Sequence, residues 1–135
     1  MISCELCQHV GGIILHQDQL LRVVLVDDAD YPGFCRIILS RHIKEMSDLE
    51  PSERLQVFDW LIRVEQALRT VMQPDKINLA SLGNMVPHVH WHVIPRFSDD
   101  AHFPSPIWAA PRRKSSRRAP PDLAERLQTA LMQNQ

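Results

Sequence analysis

No stretch of this sequence approaches the roughly 18 uninterrupted apolar residues that a membrane-spanning helix requires, so no such span is expected. Net charge is almost missing too. The formal balance is -1 at pH 7, which argues against a surface built for general nucleic-acid binding. The amino terminus, Met1-Ile2-Ser3-Cys4-Glu5, lacks a basic stretch followed by an apolar one, and no secretory signal is expected. Cysteine is scarce and odd in number, at positions 4, 7 and 35, whereas a disulfide framework needs pairs. A chain of 135 residues can bury a core without such staples. These lacks together predict a reducing, cytosolic setting. Hydrophobic residues at 44% and charged ones at 23% are those of an ordinary globular chain, long enough for one compact domain. The excess is in histidine: there are seven, and three fall within five positions.

The chain reads as strands, a helix and strands again. Gly11-Gly12 opens Ile13-Ile14-Leu15, a turn is expected at His16-Gln17-Asp18, and Leu20–Val26 is a β-branched run suited to a buried strand. Asp27–Gly33 carries a strong turn signal, and Phe34–Leu39 follows as a third strand. Pro51 starts the best helix, because the first turn has no use for the N–H that proline lacks. Leu55, Phe58, Leu61, Ile62, Leu68, Val71 and Met72 recur at three- and four-residue steps and predict one apolar face. Pro74 ends the helix. Lys76–Leu82 and Val89–Arg96 read as two further strands around a turn at Gly83-Asn84. This order predicts an α+β fold with a mainly antiparallel sheet of about five strands and one long helix. Residues 1–111 form the expected domain, and 112–135 a basic linker (Arg112–Arg118) with a short terminal helix bearing Leu123, Leu127 and Leu131. The basic run is either a solvated tail or a reach toward phosphates.

The informative segment is His88-Val89-His90-Trp91-His92-Val93-Ile94. Strand side chains alternate, so the three histidines share one face and can converge on one ligand while the other face is buried. Three imidazoles side by side are a poor core surface, since each needs a hydrogen-bond partner when buried.

His-φ-His-φ-His-φ-φ, with φ apolar, is the signature of the histidine triad superfamily, which this chain resembles at every position from His88 to Ile94. Gly83-Asn84 is similar to the Gly-Gln found upstream in many members, and Pro95-Arg96 to the ending seen in the dinucleoside polyphosphate hydrolase branch. The resemblance covers residues 4–96 and implies an α+β homodimer whose sheets run continuously across the interface. It implies cleavage at the α-phosphate of a nucleotide or dinucleoside polyphosphate through a covalent nucleotidyl-histidine. His90 is then the nucleophile, its other ring nitrogen held by a backbone carbonyl; His92 donates to a phosphate oxygen, and His88 helps hold the geometry or manage a proton. Gly83 and Asn84 match the phosphate-side pair, Asn78 an asparagine near ribose or phosphate, and Asp27 or Asp28 a partner for ribose hydroxyls. Ile14, Leu25 and Ile37 are candidate walls of the base pocket. No metal is required, although magnesium carried by the phosphates can assist.

Two departures stand out: Met85 replaces the small hydroxyl residue of the phosphoramidase pattern, and Phe34-Cys35 stands where many members carry a fourth histidine. Cys4 and Cys7 have zinc-ligand spacing, and some members bind structural zinc through such a pair, the first triad histidine (here His88) and the histidine absent near Phe34. His9 and His42 remain as substitutes, and free or buried thiols are the alternative. Trp108 resembles C-terminal segments that reach toward a partner's active site, or is a packing anchor. Beside the enzyme reading stand a nucleotide-binding or sensor protein with little catalysis, and a zinc protein that uses the histidine cluster itself.

Overall fold

The structure is a computed structural model and describes residues 3–133. Its elements are α1 (Glu5–Gln8), β1 (Ile13–Gln17), β2 (Leu21–Leu25), β3 (Cys35–Leu39), α2 (Pro51–Met72), β4 (Lys76–Ala80), β5 (His90–Arg96) and α3 (Leu123–Gln133). The five strands form one antiparallel sheet in the order β1-β2-β3-β5-β4, which leaves β1 and β4 at its edges. The first turn lies further on than the residues around His16 suggested. β1 continues through Gln17, with an irregularity between Ile14 and His16, and Asp18 then makes the turn by accepting the N–H groups of Leu20 and Leu21.

Strand alternation divides the sheet into two faces. Leu21, Val23, Leu25, Cys35, Ile37, Leu39 and Val93 point to one side, where they form the main core with Val57, Leu61, Val64 and Leu68 of α2. Leu123, Leu127, Ala130 and Leu131 of α3 join that core, so the C-terminal helix shares its packing with the residues before the basic linker. Burial of Cys35 pushes its thiol up to about 12, as expected of a small buried apolar side chain.

Helix α2 begins where Pro51 predicts. Glu53 reaches back to the Glu50 N–H at 3.0 Å in a capping box, and Gln73 ends the helix in the left-handed region at φ 52°. Its apolar residues do not all face the core. Leu55, Phe58 and Ile62 are exposed, at 72%, 47% and 48%, because a single helical stripe cannot serve both the core and a second apolar surface.

The opposite face of the sheet carries Arg22 and Val24 on β2, Arg36 and Ile38 on β3, His90, His92, Ile94 and Arg96 on β5, and Asn78 on β4. Cys4 and Leu6 pack over Val24 and Ile38 there. Arg22 fixes this N-terminal segment by donating to the carbonyls of Leu6, His9 and Val10.

Candidate active site

The triad lies where β5 meets the loop that precedes it. His90 and His92 belong to β5, while His88 stands two residues before it, and all three are buried. His90 Nδ1 lies 2.6 Å from the His88 carbonyl oxygen. A carbonyl only accepts, so Nδ1 carries a proton, and in the neutral ring Nε2 is the nitrogen that keeps its lone pair. His92 has the converse arrangement. Arg36 Nε–H points to His92 Nδ1 at 3.4 Å, and because arginine only donates, His92 Nδ1 is the acceptor and Nε2 bears the hydrogen. The two rings stand edge to face with centroids 5.0 Å apart. One bare nitrogen and one N–H donor are thus held side by side. Burial, Arg36 and His90 together push the His92 pKa down to about 4, so this ring is neutral at pH 7.

The His88 ring turns away from that pair. Its Nε2–H donates to the Leu39 carbonyl at 2.7 Å, which aims the lone pair on Nδ1 at Cys4 Sγ and Cys7 Sγ, each 3.4 Å away. His42 Nδ1 is 3.4 Å from Cys7 Sγ, and one ligand atom from each of Cys4, Cys7, His42 and His88 lies within 4.8 Å of every other. Zinc bonds of about 2.3 Å to sulfur and 2.0–2.1 Å to nitrogen place sulfur and nitrogen about 3.5 Å apart in a tetrahedron, so two thiols and two imidazoles fit that ion. The carbonyl behind His88 supplies the outer hydrogen bond that a ligating imidazole needs. Of the two substitutes, His42 and not His9 completes the set. His90 and His92 stay outside it, which separates this cluster from the reading in which the whole triad binds metal.

The other residues picked out from the sequence scatter more widely. Gly83, at φ +80°, and exposed Asn84 shape the loop leading to His88, with Met85 94% exposed beside them. Asn78 shares the triad's face, but its Oδ1 accepts from Arg96 Nη1 at 2.8 Å. Asp27 and Asp28 follow β2 and line a cleft of about 640 Å³ with Ile13, Val26 and Arg118. Ile14 falls on the histidine face, whereas Leu25 and Ile37 lie in the helix-side core, since a one-residue step along a strand changes face.

Two groups pack against the His92 ring: Phe34, with its ring 5.6 Å away, and Trp108, 5.4 Å away on the arm after β5. Trp108 therefore reaches a histidine of its own chain. Arg36 is absent from the sequence-based site. Its signal was a cation inside the otherwise apolar run of β3, and its meaning required the register that pairs it with His92.

Comparison with known proteins agrees with this geometry. Residues 10–99 match the HIT domain family, and the chain belongs to it. Over 96 residues it is 29% identical to the asymmetrical bis(5'-nucleosyl)-tetraphosphatase of Schizosaccharomyces pombe, covering 67% of this chain and 53% of that one. The chain spans about half the length of the curated relatives it matches. Among solved structures, a histidine triad protein from Bradyrhizobium japonicum superposes with a TM-score of 0.75 at 28% identity, covering 98% of this chain and 96% of that one. A zinc-bound histidine triad family protein from Mycobacterium smegmatis gives 0.67 at 25% identity, covering 98% and 95%. The five-stranded α+β architecture is therefore the HIT fold.

Proposed function

We propose that the chain hydrolyses a nucleotide, foremost a dinucleoside polyphosphate, at its α-phosphate through a nucleotidyl-His90 intermediate. The observation that carries this reading is the pair of opposed tautomers. His90 Nε2 attacks the α-phosphorus, and the bond from phosphorus to the bridging oxygen breaks with its electron pair staying on the departing phosphates. Water then displaces His90, forming the nucleoside monophosphate and releasing a proton. His92 Nε2–H donates to a non-bridging oxygen where charge builds up. The His88 carbonyl keeps the proton on Nδ1 and stabilises the positive ring that forms on transfer. Gly83 and Asn84 are assigned to the phosphate side, Asp27 or Asp28 to the ribose; no metal takes part, except magnesium that arrives on the substrate. The relative from Schizosaccharomyces pombe, a tetraphosphatase by name, supports this substrate class.

Cys4, Cys7, His42 and His88 would hold a structural zinc ion, which supplies cross-linking of α1 to the triad loop. The reading includes a reducing, cytosolic setting, where those thiols stay reduced and able to ligate, and a homodimer. The dimer is supported by the exposed Leu55, Phe58 and Ile62 of α2 and by exposed Leu79 on the unpaired edge strand β4. A nucleotide-binding protein with little turnover is the second reading, favoured by Phe34, whose ring offers His92 no hydrogen bond.

Mass spectrometry of protein mixed briefly with diadenosine tetraphosphate, without acid quenching, tests the first reading. One adenylyl group mapped to His90, and no turnover by His90→Ala with binding retained, is the expected result. Binding without adduct or product would transfer the case to the second reading.

A further inference from the structure

Arg36 occupies the middle of β3, directly across from His92, on the face that carries the triad. Its guanidinium is half-buried, and burial lowers its pKa, a cost only partly offset by the more distant charges of Glu5 and Asp28. Among the described residues no carboxylate forms an ion pair with it. Its contacts are the single bond from Nε to His92 and the ring of Phe34, 5.1 Å from Cζ. A half-buried cation without an anion is expensive, and here it stands next to the group that receives an α-phosphate.

We propose that Arg36 binds the phosphates beyond the α-phosphate, and so selects nucleotides with a polyphosphate leaving group over those whose leaving group is neutral or an amine. This inference rests on the assignment of the α-phosphate to His90. The groups facing His92 are His90 beside it on β5, Arg36 across on β3, Phe34, and Trp108 from the arm. His92 is neutral at pH 7. Arg36 brings a formal positive charge into contact with His92. Adjacent strands lie about 4.8 Å apart, more than one phosphate unit spans, so it takes a chain of several phosphates running from His90 past His92 to arrive at β3. With Nε on His92, the two terminal nitrogens remain to grip a phosphate in the paired fashion that suits arginine.

The test is calorimetric titration of the full chain with AMP and with α,β-methylene-ATP, which has no bridging oxygen to lose at the α-position. The native protein should prefer the triphosphate. Arg36→Gln should cut that preference by about ten- to a hundred-fold, and Arg36→Lys should restore part of it. A native protein without the preference, or an Arg36→Gln variant that keeps it or weakens both ligands equally, would overturn the proposal. Should Arg36→Gln not fold, the same ratio in Arg36→Lys decides, since a point charge without paired geometry should lower the preference. Because the readout is binding, absence of a nucleotidyl-His90 adduct would sink the catalytic reading without touching this ratio.

Discussion

His90 donates from Nδ1 to the carbonyl oxygen of His88 at 2.6 Å, while the His88 ring faces the opposite way, toward Cys4 and Cys7. One residue thus serves two sites. Its backbone orients the proposed nucleophile, and its side chain belongs to the thiol–imidazole cluster that pins the N-terminal turn. The alternation of histidines sets this up: the strand begins only at His90, so His88 is free to rotate out of the row that His90 and His92 continue.

The cluster yields the first prediction. Protein purified without a histidine tag should carry about one zinc ion per chain, given two thiols and two imidazoles at tetrahedral spacing. Cys7→Ser should lose the metal and lower the thermal midpoint by roughly 10 °C or more. It should also reduce turnover, because the His88 carbonyl loses the anchor on its side chain. Elemental analysis with parallel calorimetry checks both. Metal-free native protein as stable as the zinc-loaded form would refute the assignment.

His92 yields the second. Its pKa of about 4 in the folded chain lies below the unfolded value of about 6.5. Between those values the unfolded chain binds the proton and the folded chain does not. Stability from this group is therefore complete above about pH 6.5 and is lost as pH falls toward 4. Imidazole signals followed by NMR should show His92 titrating near the lower value, with Nε2 protonated at neutral pH. Titration near 6.5 would contradict the buried neutral donor.

Local periodicity carries much of this arrangement, and the parts that it leaves out share one physical cause. The alternation of His90 and His92, the start of α2 at Pro51, and the chain order of strands depend on local periodicity, which the sequence displays directly. Arg36 depends on which strands become neighbours. So does His42, which meets Cys7 across 35 positions of chain. Leu25 and Ile37 show the same limit at finer scale, because a pocket wall and a core residue differ by a single alternation. In α2, periodicity revealed that Phe58 and Ile62 are apolar but not which of two surfaces they serve.

That second surface yields the third prediction. Leu79 points to the helix side at the open edge of β4 and is exposed, and Leu55, Phe58 and Ile62 form an exposed apolar patch on α2. Two copies joined edge to edge there would satisfy the free β4 backbone groups and cover the patch. Sedimentation velocity should give twice the chain mass of 15.6 kDa. Phe58→Glu should shift the population to monomer by placing a charge in an apolar interface. A native monomer at concentrations near 100 μM, a working range for weak dimers, would contradict the assembly.

The last prediction concerns the arm that carries Trp108. Arg96 and Asp100, 2% and 3% exposed, form a paired bridge at 2.7 and 3.0 Å, and Arg96 also donates to the Ser105 carbonyl and to Asn78. Asp100 further accepts the N–H groups of Phe97, His102 and Phe103. Burial alone would raise the Asp100 pKa, but Arg96 and these three donors bring it down to about 2. The arm's fold back across the sheet is thus written around one carboxylate. Asp100→Asn leaves a buried guanidinium without its anion, a change that typically costs about 3–5 kcal/mol, and the urea midpoint should fall accordingly. The unfolded carboxylate titrates near 3.9, so the native bridge contributes fully above about pH 4 and is lost as pH falls through about 2. Because the same arm sets Trp108 against His92, the variant should also show altered tryptophan emission and a raised KM. An unchanged emission spectrum with lowered stability would show that Trp108 is held by other contacts than this bridge.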